Sequence, residues 1–139
     1  LRPYHGIRIF KNQGDFSFEE KAFLHINGLT RVMAIDSDTK GLKDMAAIAY
    51  FADFHHRPEE SFVFLRQVSP WNFEAQTIKE VNMGRWLVMD VGDVNGDGKT
   101  DIVLGAAMAG FDTAPASMVE QWQQNSRALS IMLNYASQP

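Results

Sequence analysis

The segment from Val91 to Leu104 constrains the fold of this chain more than any other. It reads Val-Gly-Asp-Val-Asn-Gly-Asp-Gly-Lys-Thr-Asp-Ile-Val-Leu, and its oxygen-bearing side chains stand at odd-numbered positions, Asp93, Asn95, Asp97 and Asp101. Such hard oxygen donors are the ligands that Ca²⁺ prefers, because the ion takes about six to eight of them. Gly96 and Gly98 permit the positive φ angles that a chain needs to curl around an ion. The segment therefore predicts a calcium-binding turn.

The residues on either side of this turn indicate strands rather than helices. Trp86–Val91 and Ile102–Ala107 are short apolar runs that are rich in β-forming residues and lack helical periodicity. An EF-hand would also need a bidentate Glu at the twelfth loop position, and the twelfth residue counted from Asp93 is Leu104. The alternative to a metal site is a metal-free hairpin turn built from Asp, Asn and Gly.

The pattern Asp-x-Asn-x-Asp-Gly-x-x-Asp between apolar strands resembles the calcium loop of the FG-GAP/VCBS repeat family, whose repeats are blades of integrin-like β-propellers. The resemblance implies an all-β fold, a partial β-propeller in which adjacent four-stranded antiparallel blades carry calcium-binding hairpin loops. It also implies the ligands of the ion, which are the side chains of Asp93, Asn95, Asp97 and Asp101 and the backbone carbonyl of Lys99.

A degenerate copy of this loop lies earlier in the chain. The segment Asp36–Asp44 follows the same frame, with Asp36 in the place of Asp93 at an offset of 93 − 36 = 57 residues. Lys40 stands in the place of Asp97, and a lysine ammonium cannot ligate Ca²⁺. We therefore expect Lys40 to stand in for the ion and to pair with Asp36, Asp38 and Asp44. The alternative is that Lys40 points outwards and that this loop still binds Ca²⁺ weakly.

A second internal match has nearly the same spacing. Ile9–Glu19 aligns with Phe64–Glu74 at an offset of 74 − 19 = 55 residues. Two internal matches with nearly the same offset indicate a repeat of about the length of a propeller blade.

The repeat divides the chain into three segments. Residues 1–27 would supply two outer strands of one blade, residues 28–80 a complete blade, and residues 81–139 an incomplete one. The predicted strands are Tyr4–Phe10, Phe16–Phe23, Thr30–Asp36, Met45–Phe51, Ser61–Gln67, Asn72–Lys79, Trp86–Val91, Ile102–Ala107 and Ala128–Tyr135. A short helix is predicted at Pro115–Gln124. The continuously apolar runs Arg31–Ile35 and Trp86–Met89 predict inner strands that are buried on both faces.

Two long connections join the second and third strands of their segments, Ala52–Glu60 and Met108–Arg127, and they should emerge at the same end of the blades. The first holds His55, His56 and Glu59, a possible binding loop. Imidazole and carboxylate groups suit Zn²⁺ or catalysis. However, adjacent residues of an extended chain point in opposite directions, and Pro58 favours a solvated turn.

The aromatic residues permit two interpretations. At strand spacing they are typical of the core between sheets, and the alternative is a sugar-stacking platform. Phe54 and Phe111 lie in the long connections and are the expected exceptions to a core role. The set comprises Trp71, Trp86, Trp122, Phe16, Phe18, Phe51, Phe54, Phe62, Phe64 and Phe73.

Composition narrows the function classes. The net charge of −4 argues against nucleic acid as a partner, and no apolar run reaches the length of a membrane span. Because the chain starts in mid-pattern at Leu1, we expect a piece of a longer parent whose remaining propeller blades are its partners.

The resemblance and the missing catalytic motifs favour a binding role. We expect a calcium-stabilised interaction scaffold, secreted or at the cell surface, with Ca²⁺ as the cofactor and with an unidentified protein or carbohydrate ligand. The alternative is part of a secreted polysaccharide-acting or other hydrolytic enzyme domain, with its active site in the rim loops.

Overall fold

The computed structural model describes residues 4–36, 41–107, 114–125 and 127–135. In this part of the chain the strands are β1 (Gly6–Gly14), β2 (Ser17–His25), β3 (Arg31–Ile35), β4 (Asp44–Ile48), β5 (Phe62–Ser69), β6 (Asn72–Gln76), β7 (Trp86–Gly92), β8 (Asp101–Ala106) and β9 (Leu129–Met132). One α-helix, α1 (Ala116–Asn125), precedes β9. Two 3-10 helices, Pro58–Ser61 and Lys79–Met83, precede β5 and β7.

The strands form three antiparallel sheets in chain order. The first sheet pairs β1 with β2, the second has the order β3-β4-β5-β6, and the third has the order β7-β8-β9. The predicted all-β, antiparallel architecture is confirmed in this form, while the three sheets do not close into a propeller. The predicted helix is confirmed with a shift of one residue, and the two 3-10 helices were not predicted.

The second sheet packs on both of its faces. Side chains alternate along β4 and the residue after it, so that Ala47 and Ala49 join one apolar cluster while Ala46 and Ile48 join another. The first cluster packs the second sheet against Ile7 and Ile26 of the first segment and against Trp122 of α1. The other cluster packs the second sheet against Trp86, Met89, Ile102 and Leu104 of the third. The sheets therefore form a stack with the second in the middle.

The predicted burial of the inner strands is wrong for β3 and β7. Val32 is 39% exposed, Leu87 44% and Val88 57%. Both strands lie at the edges of their sheets. The strand with the deepest burial is β4, where Ala46, Ala47 and Ile48 are fully buried, because it has a strand on each side and a sheet against each face.

The two long connections meet in space. The ring of Phe54, from the first connection, packs edge-on against Trp122 of α1 with ring centroids 5.3 Å apart. The Trp122 indole donates a hydrogen bond to the carbonyl of Asn82 at 2.8 Å. This contact agrees with the expectation that both connections emerge at one end, but it places Phe54 in the core, against the prediction. Phe111 lies outside the described residues.

The turns of the β1–β2 and β5–β6 hairpins each place an aromatic residue at a positive φ angle. Phe16 has φ of 58° and follows Asp15 at 49°, while Trp71 has φ of 65° and follows Pro70. A bulky residue rarely adopts positive φ, at a cost on the order of 1–3 kcal/mol. Each hairpin also has a register shift just before its turn, between Asn12 and Gly14 and between Gln67 and Ser69.

The aromatic side chains divide into two groups. Phe62, Trp86 and Trp122 are buried in the core as predicted, and Phe54 is buried there against the prediction. Phe16 is 98% exposed, Phe18 59%, Phe51 50% and Trp71 39%, so a core role is wrong for these four.

The packing of the third sheet predicts that truncating a side chain destabilises the fold more on the buried face of this sheet than on its exposed face. Leu104→Ala should destabilise the fold by about 2–5 kcal/mol, because the side chain is 1% exposed between two sheets. Val88→Ala, on the exposed face of the same sheet, is the matched control and should cost about 1 kcal/mol or less. Urea denaturation measures both, and equal losses would contradict the stacking of the second and third sheets.

Candidate functional site

The predicted metal turn joins β7 to β8, between Gly92 and Asp101. Gly96 and Gly98 have φ of 80° and 79°. A Cβ atom built on either glycine would meet nothing within 4 Å, so conformation rather than space requires glycine here.

Asp93 is the centre of the hydrogen bonds in the turn. Its Oδ1 accepts from the N–H of Gly96 at 2.7 Å and of Asp97 at 3.1 Å, and its Oδ2 accepts from Gly98 N–H at 2.8 Å. Three backbone donors aimed at one carboxylate hold the turn in a single curl.

Asn95 and Asp97 are tied to each other and to the next residues. The Asn95 amide Nδ2 donates to Asp97 Oδ2 at 3.1 Å, and Asn95 Oδ1 accepts from Asp97 N–H at 3.0 Å. Asp97 Oδ1 accepts from Lys99 N–H at 2.9 Å. The side chains of both residues remain exposed, with oxygens at the surface of the turn.

Asp101 differs from the other acidic residues of the turn because it is fully buried. Its Oδ2 accepts from Val94 N–H at 3.0 Å, and its Oδ1 accepts from Asn134 N–H at 2.8 Å. The N–H of Asn134 and then that of Val94 lower the pKa of Asp101 below its ordinary value, against burial, which raises it. One carboxylate therefore joins the turn to the chain that follows β9.

The second sheet contains the equivalent arrangement. Asp44, at the start of β4, is buried, and its Oδ1 accepts from the N–H of Gln67 in β5 at 2.7 Å. Gln67 Oε1 in turn accepts from Lys43 N–H at 3.1 Å. We call the contacts Asp44–Gln67 and Asp101–Asn134 the carboxylate clamps. Each joins the start of the second strand of a sheet to the end region of the third.

The predicted ligands of Ca²⁺ are thus on one turn, with oxygen chemistry that fits the ion. Asp93, Asn95, Asp97, Asp101 and the Lys99 carbonyl are all hard donors, and the loop carries more acidic than basic charge. Within the described residues, however, no three His, Cys, Asp or Glu side chains lie in an arrangement that could hold a metal ion. The side-chain oxygens of Asp93, Asn95, Asp97 and Asp101 accept hydrogen bonds from N–H groups, as they would in a metal-free turn. Calcium binding therefore remains a prediction.

The first loop is described only in part. Asp36 is exposed and pairs with the ammonium of Lys43, whereas the prediction assigned this pairing to Lys40. Asp38 and Lys40 lie outside the described residues, and Asp44 belongs to a carboxylate clamp. Whether this loop binds metal therefore stays a prediction.

The connection that holds His55, His56 and Glu59 is solvated, and all three side chains are exposed. His56 Nδ1 lies 2.9 Å from Asp53 Oδ1, a partner that was not predicted although the spacing of three residues suits a turn. This contact with His56 is the main cause that lowers the pKa of the Asp53 carboxyl. The rings of His55 and His56 are 6.5 Å apart, because the chain turns here rather than extending.

Arg85 was also not predicted. It is 4% exposed, and its guanidinium lies over the Tyr50 ring at 4.1 Å from the centroid, while Nε donates to Tyr50 O at 3.0 Å. Arg85 thus joins the segment after the second sheet to the residues that follow β4. The sequence signal that could have identified Arg85 as a buried residue was its position in an otherwise apolar run.

Comparison with known protein families gives a match at the β7–β8 hairpin. Residues 86–119 match the family model described as FG-GAP repeat. This segment is similar to an FG-GAP repeat. The matched range covers β7, the acidic turn, β8 and the start of α1, so the resemblance to the FG-GAP family drawn from the motif is confirmed.

The other comparisons add no relative. No curated protein and no solved structure matches the chain significantly. In the described part of the structure, no helix combines the length and hydrophobicity needed to cross a bilayer.

The carboxylate clamps predict local effects on hydrogen exchange. In Asp101→Ala, the Asn134 and Val94 amides lose their acceptor and should exchange about tenfold faster, while Gln67 keeps its protection. In Asp44→Ala, Gln67 should be the amide that changes. Exchange measured by NMR on both variants checks this, and unchanged Asn134 exchange in Asp101→Ala would contradict the clamp.

Proposed function

We propose that this chain is part of a calcium-stabilised FG-GAP/VCBS-type β-propeller that serves as a binding scaffold outside the cell. The observation that carries the proposal is the FG-GAP match across the hairpin with the acidic turn. The stack of antiparallel sheets supports it, because propeller blades pack face to face in chain order.

The proposed cofactor is Ca²⁺, held by Asp93, Asn95, Asp97 and Asp101 and by the carbonyl of Lys99. When bound, the ion would neutralise three carboxylates within nine residues and cross-link β7 to β8. Extracellular Ca²⁺ is abundant enough to saturate even weak sites of this kind, which supports placement at the cell surface or in a secreted protein.

The proposed partners include further blades of the same propeller. A closed propeller has about four to eight blades, and three sheets are described here. Val88 pairs with Gly105, and Gly105 pairs with Leu129, so these residues share the face of the third sheet that points away from the core. Val88 is 57% exposed and Leu129 60%, as expected of a face that another blade covers.

The rim connections supply the proposed ligand surface. The connection Ala52–Glu60 and helix α1 lie side by side through Phe54 and Trp122. His55, His56 and Glu59 of the connection and Glu120 of the helix are exposed. Such loops on a rigid scaffold are common binding sites for a protein or a carbohydrate.

Calcium titration tests the cofactor. Titration calorimetry should detect one site in the unaltered chain, and Asp97→Asn should weaken it at least tenfold, because a charged ligand becomes neutral. The control Asp90→Asn removes the same charge from the exposed face of β7, outside the turn, and should leave the affinity within about twofold. Equal affinities of the two variants, or no binding at all, would reject the calcium site.

The second candidate is a hydrolytic enzyme, favoured by the Asp53–His56 contact. A carboxylate that holds an imidazole at 2.9 Å is an arrangement used for general base catalysis. If this candidate is right, replacing His55, His56 and Glu59 by Ala should abolish hydrolysis of a polysaccharide panel without changing calcium affinity. The scaffold proposal expects no hydrolysis by either protein, so measurable activity in the unaltered chain would count against it.

A further inference from the structure

We propose that Asn95 is a site of spontaneous covalent modification, at which the side-chain amide is lost as ammonia and an aspartate or isoaspartate takes its place. The residue lies in the turn between β7 and β8 and is followed by Gly96. The reaction needs only the chain itself and water. The proposal therefore goes beyond the scaffold function and holds whether or not the turn binds an ion.

The reaction joins Asn95 to the residue that follows it. The backbone nitrogen of Gly96 attacks Cγ of Asn95, the bond from Cγ to Nδ2 breaks, and Nδ2 leaves as ammonia with the proton that the backbone nitrogen has lost. A water molecule then opens the five-membered succinimide ring at one of its two carbonyls. Opening at Cγ gives aspartate, and opening at the backbone carbonyl gives isoaspartate, in which the main chain runs through Cγ. No atom is oxidised or reduced.

Both reacting residues are accessible. Asn95 and Gly96 are exposed. Glycine has no Cβ to shield its nitrogen, and a Cβ built on Gly96 would meet nothing within 4 Å, so no neighbouring residue crowds this side of the backbone. Asparagine is among the residues most prone to chemical damage, and the turn leaves this one open to water.

The turn places a suitable group beside each atom that reacts. The N–H of Gly96 donates to Asp93 Oδ1 at 2.7 Å, so a carboxylate stands ready to accept the proton. Asn95 Oδ1 gains negative charge when Cγ is attacked, and it accepts a hydrogen bond from Asp97 N–H at 3.0 Å. Nδ2, the leaving nitrogen, donates to Asp97 Oδ2 at 3.1 Å, which holds the amide in one orientation.

A second Asn-Gly pair in the same chain lies in the opposite environment. Asn27 is 6% exposed, and among the described residues no donor reaches its Oδ1. Gly28 packs so closely on Phe51 that a Cβ would lie 1.9 Å from the Phe51 carbonyl oxygen. Charge that develops on a buried oxygen without a partner is costly, so Asn27 should react only after local opening of the fold.

The products change the charge and the path of the turn. Asp38 stands in the place of Asn95 in the earlier loop, so the aspartate product makes the two loops alike at this position and adds one negative charge. The isoaspartate product adds one carbon to the main chain and should break the hydrogen bond that Asp97 N–H donates to residue 95. One encoded residue therefore yields three forms of the same turn.

Peptide mapping tests the proposal on the whole chain, kept at neutral pH with a chelator so that no metal contributes. Trypsin gives the peptides 86–99 and 22–31, and each contains a single asparagine, Asn95 or Asn27. In the folded chain the Asn95 peptide should gain the mass of an amide-to-acid conversion at least about tenfold faster than the Asn27 peptide. In urea the two rates should agree within about twofold, because the fold no longer distinguishes the pairs.

Two variants locate the cause. Asp93→Asn keeps the size of the side chain and removes the carboxylate beside Gly96 N–H, so Asn95 in the folded variant should react at least about tenfold more slowly, with an unchanged rate in urea. Asn95→Gln is the negative control, and its peptide should keep its mass. The modification site is overturned if Asn95 reacts no faster than Asn27 in the folded chain. The role of Asp93 is overturned if the folded variant reacts as fast as the unaltered chain or faster.

Discussion

The burial of β4 on both faces is the constraint on which the rest of the structure depends. Ala46 and Ala47 of β4, and Ala49 just after it, have no exposed surface, and their small side chains let a sheet approach from each side. Larger residues at these positions would separate the layers, since close-packed interiors tolerate added volume poorly. The first and third sheets, with few strands of their own, gain their buried surface from this central layer.

Most of the architecture was predictable from the sequence because its signals are local. Trp86–Val91 and Ile102–Ala107 are recognised as strands by residue type, and the Asp-Gly turn between them fixes the hairpin. The internal repeat then extended the argument to the second sheet. The burial of β3 was predicted wrongly because an apolar run does not reveal which strand of a sheet is the edge strand. Edge position depends on long-range pairing, and β4, whose alanines give a weak hydrophobic signal, is the buried strand instead.

The acidic turn could be located from the sequence, but its contacts could not. The pattern from Asp93 to Asp101 located the turn, and the FG-GAP match covers it. It did not reveal that Asp101 reaches Asn134, because that hydrogen bond spans 33 residues and depends on how β9 pairs with β8. Nor did it reveal positive φ at Phe16 and Trp71, since turn rules assign that conformation to glycine and asparagine.

The carboxylate clamps distinguish two roles within the acidic loop motif, one in holding the fold and one in the proposed binding of an ion. The residue that would contribute a fifth-position ligand differs between the loops, Asp97 in one and Lys40 in the other, whereas the ninth position is Asp in both. Both ninth-position carboxylates are buried and accept a backbone N–H from the third strand or the residues just after it, at 2.7 Å and 2.8 Å. Leaving that N–H without an acceptor would be costly whether or not a metal is bound. The ninth position is therefore required by the fold itself, and the earlier positions of the loop are free to differ in their affinity for an ion.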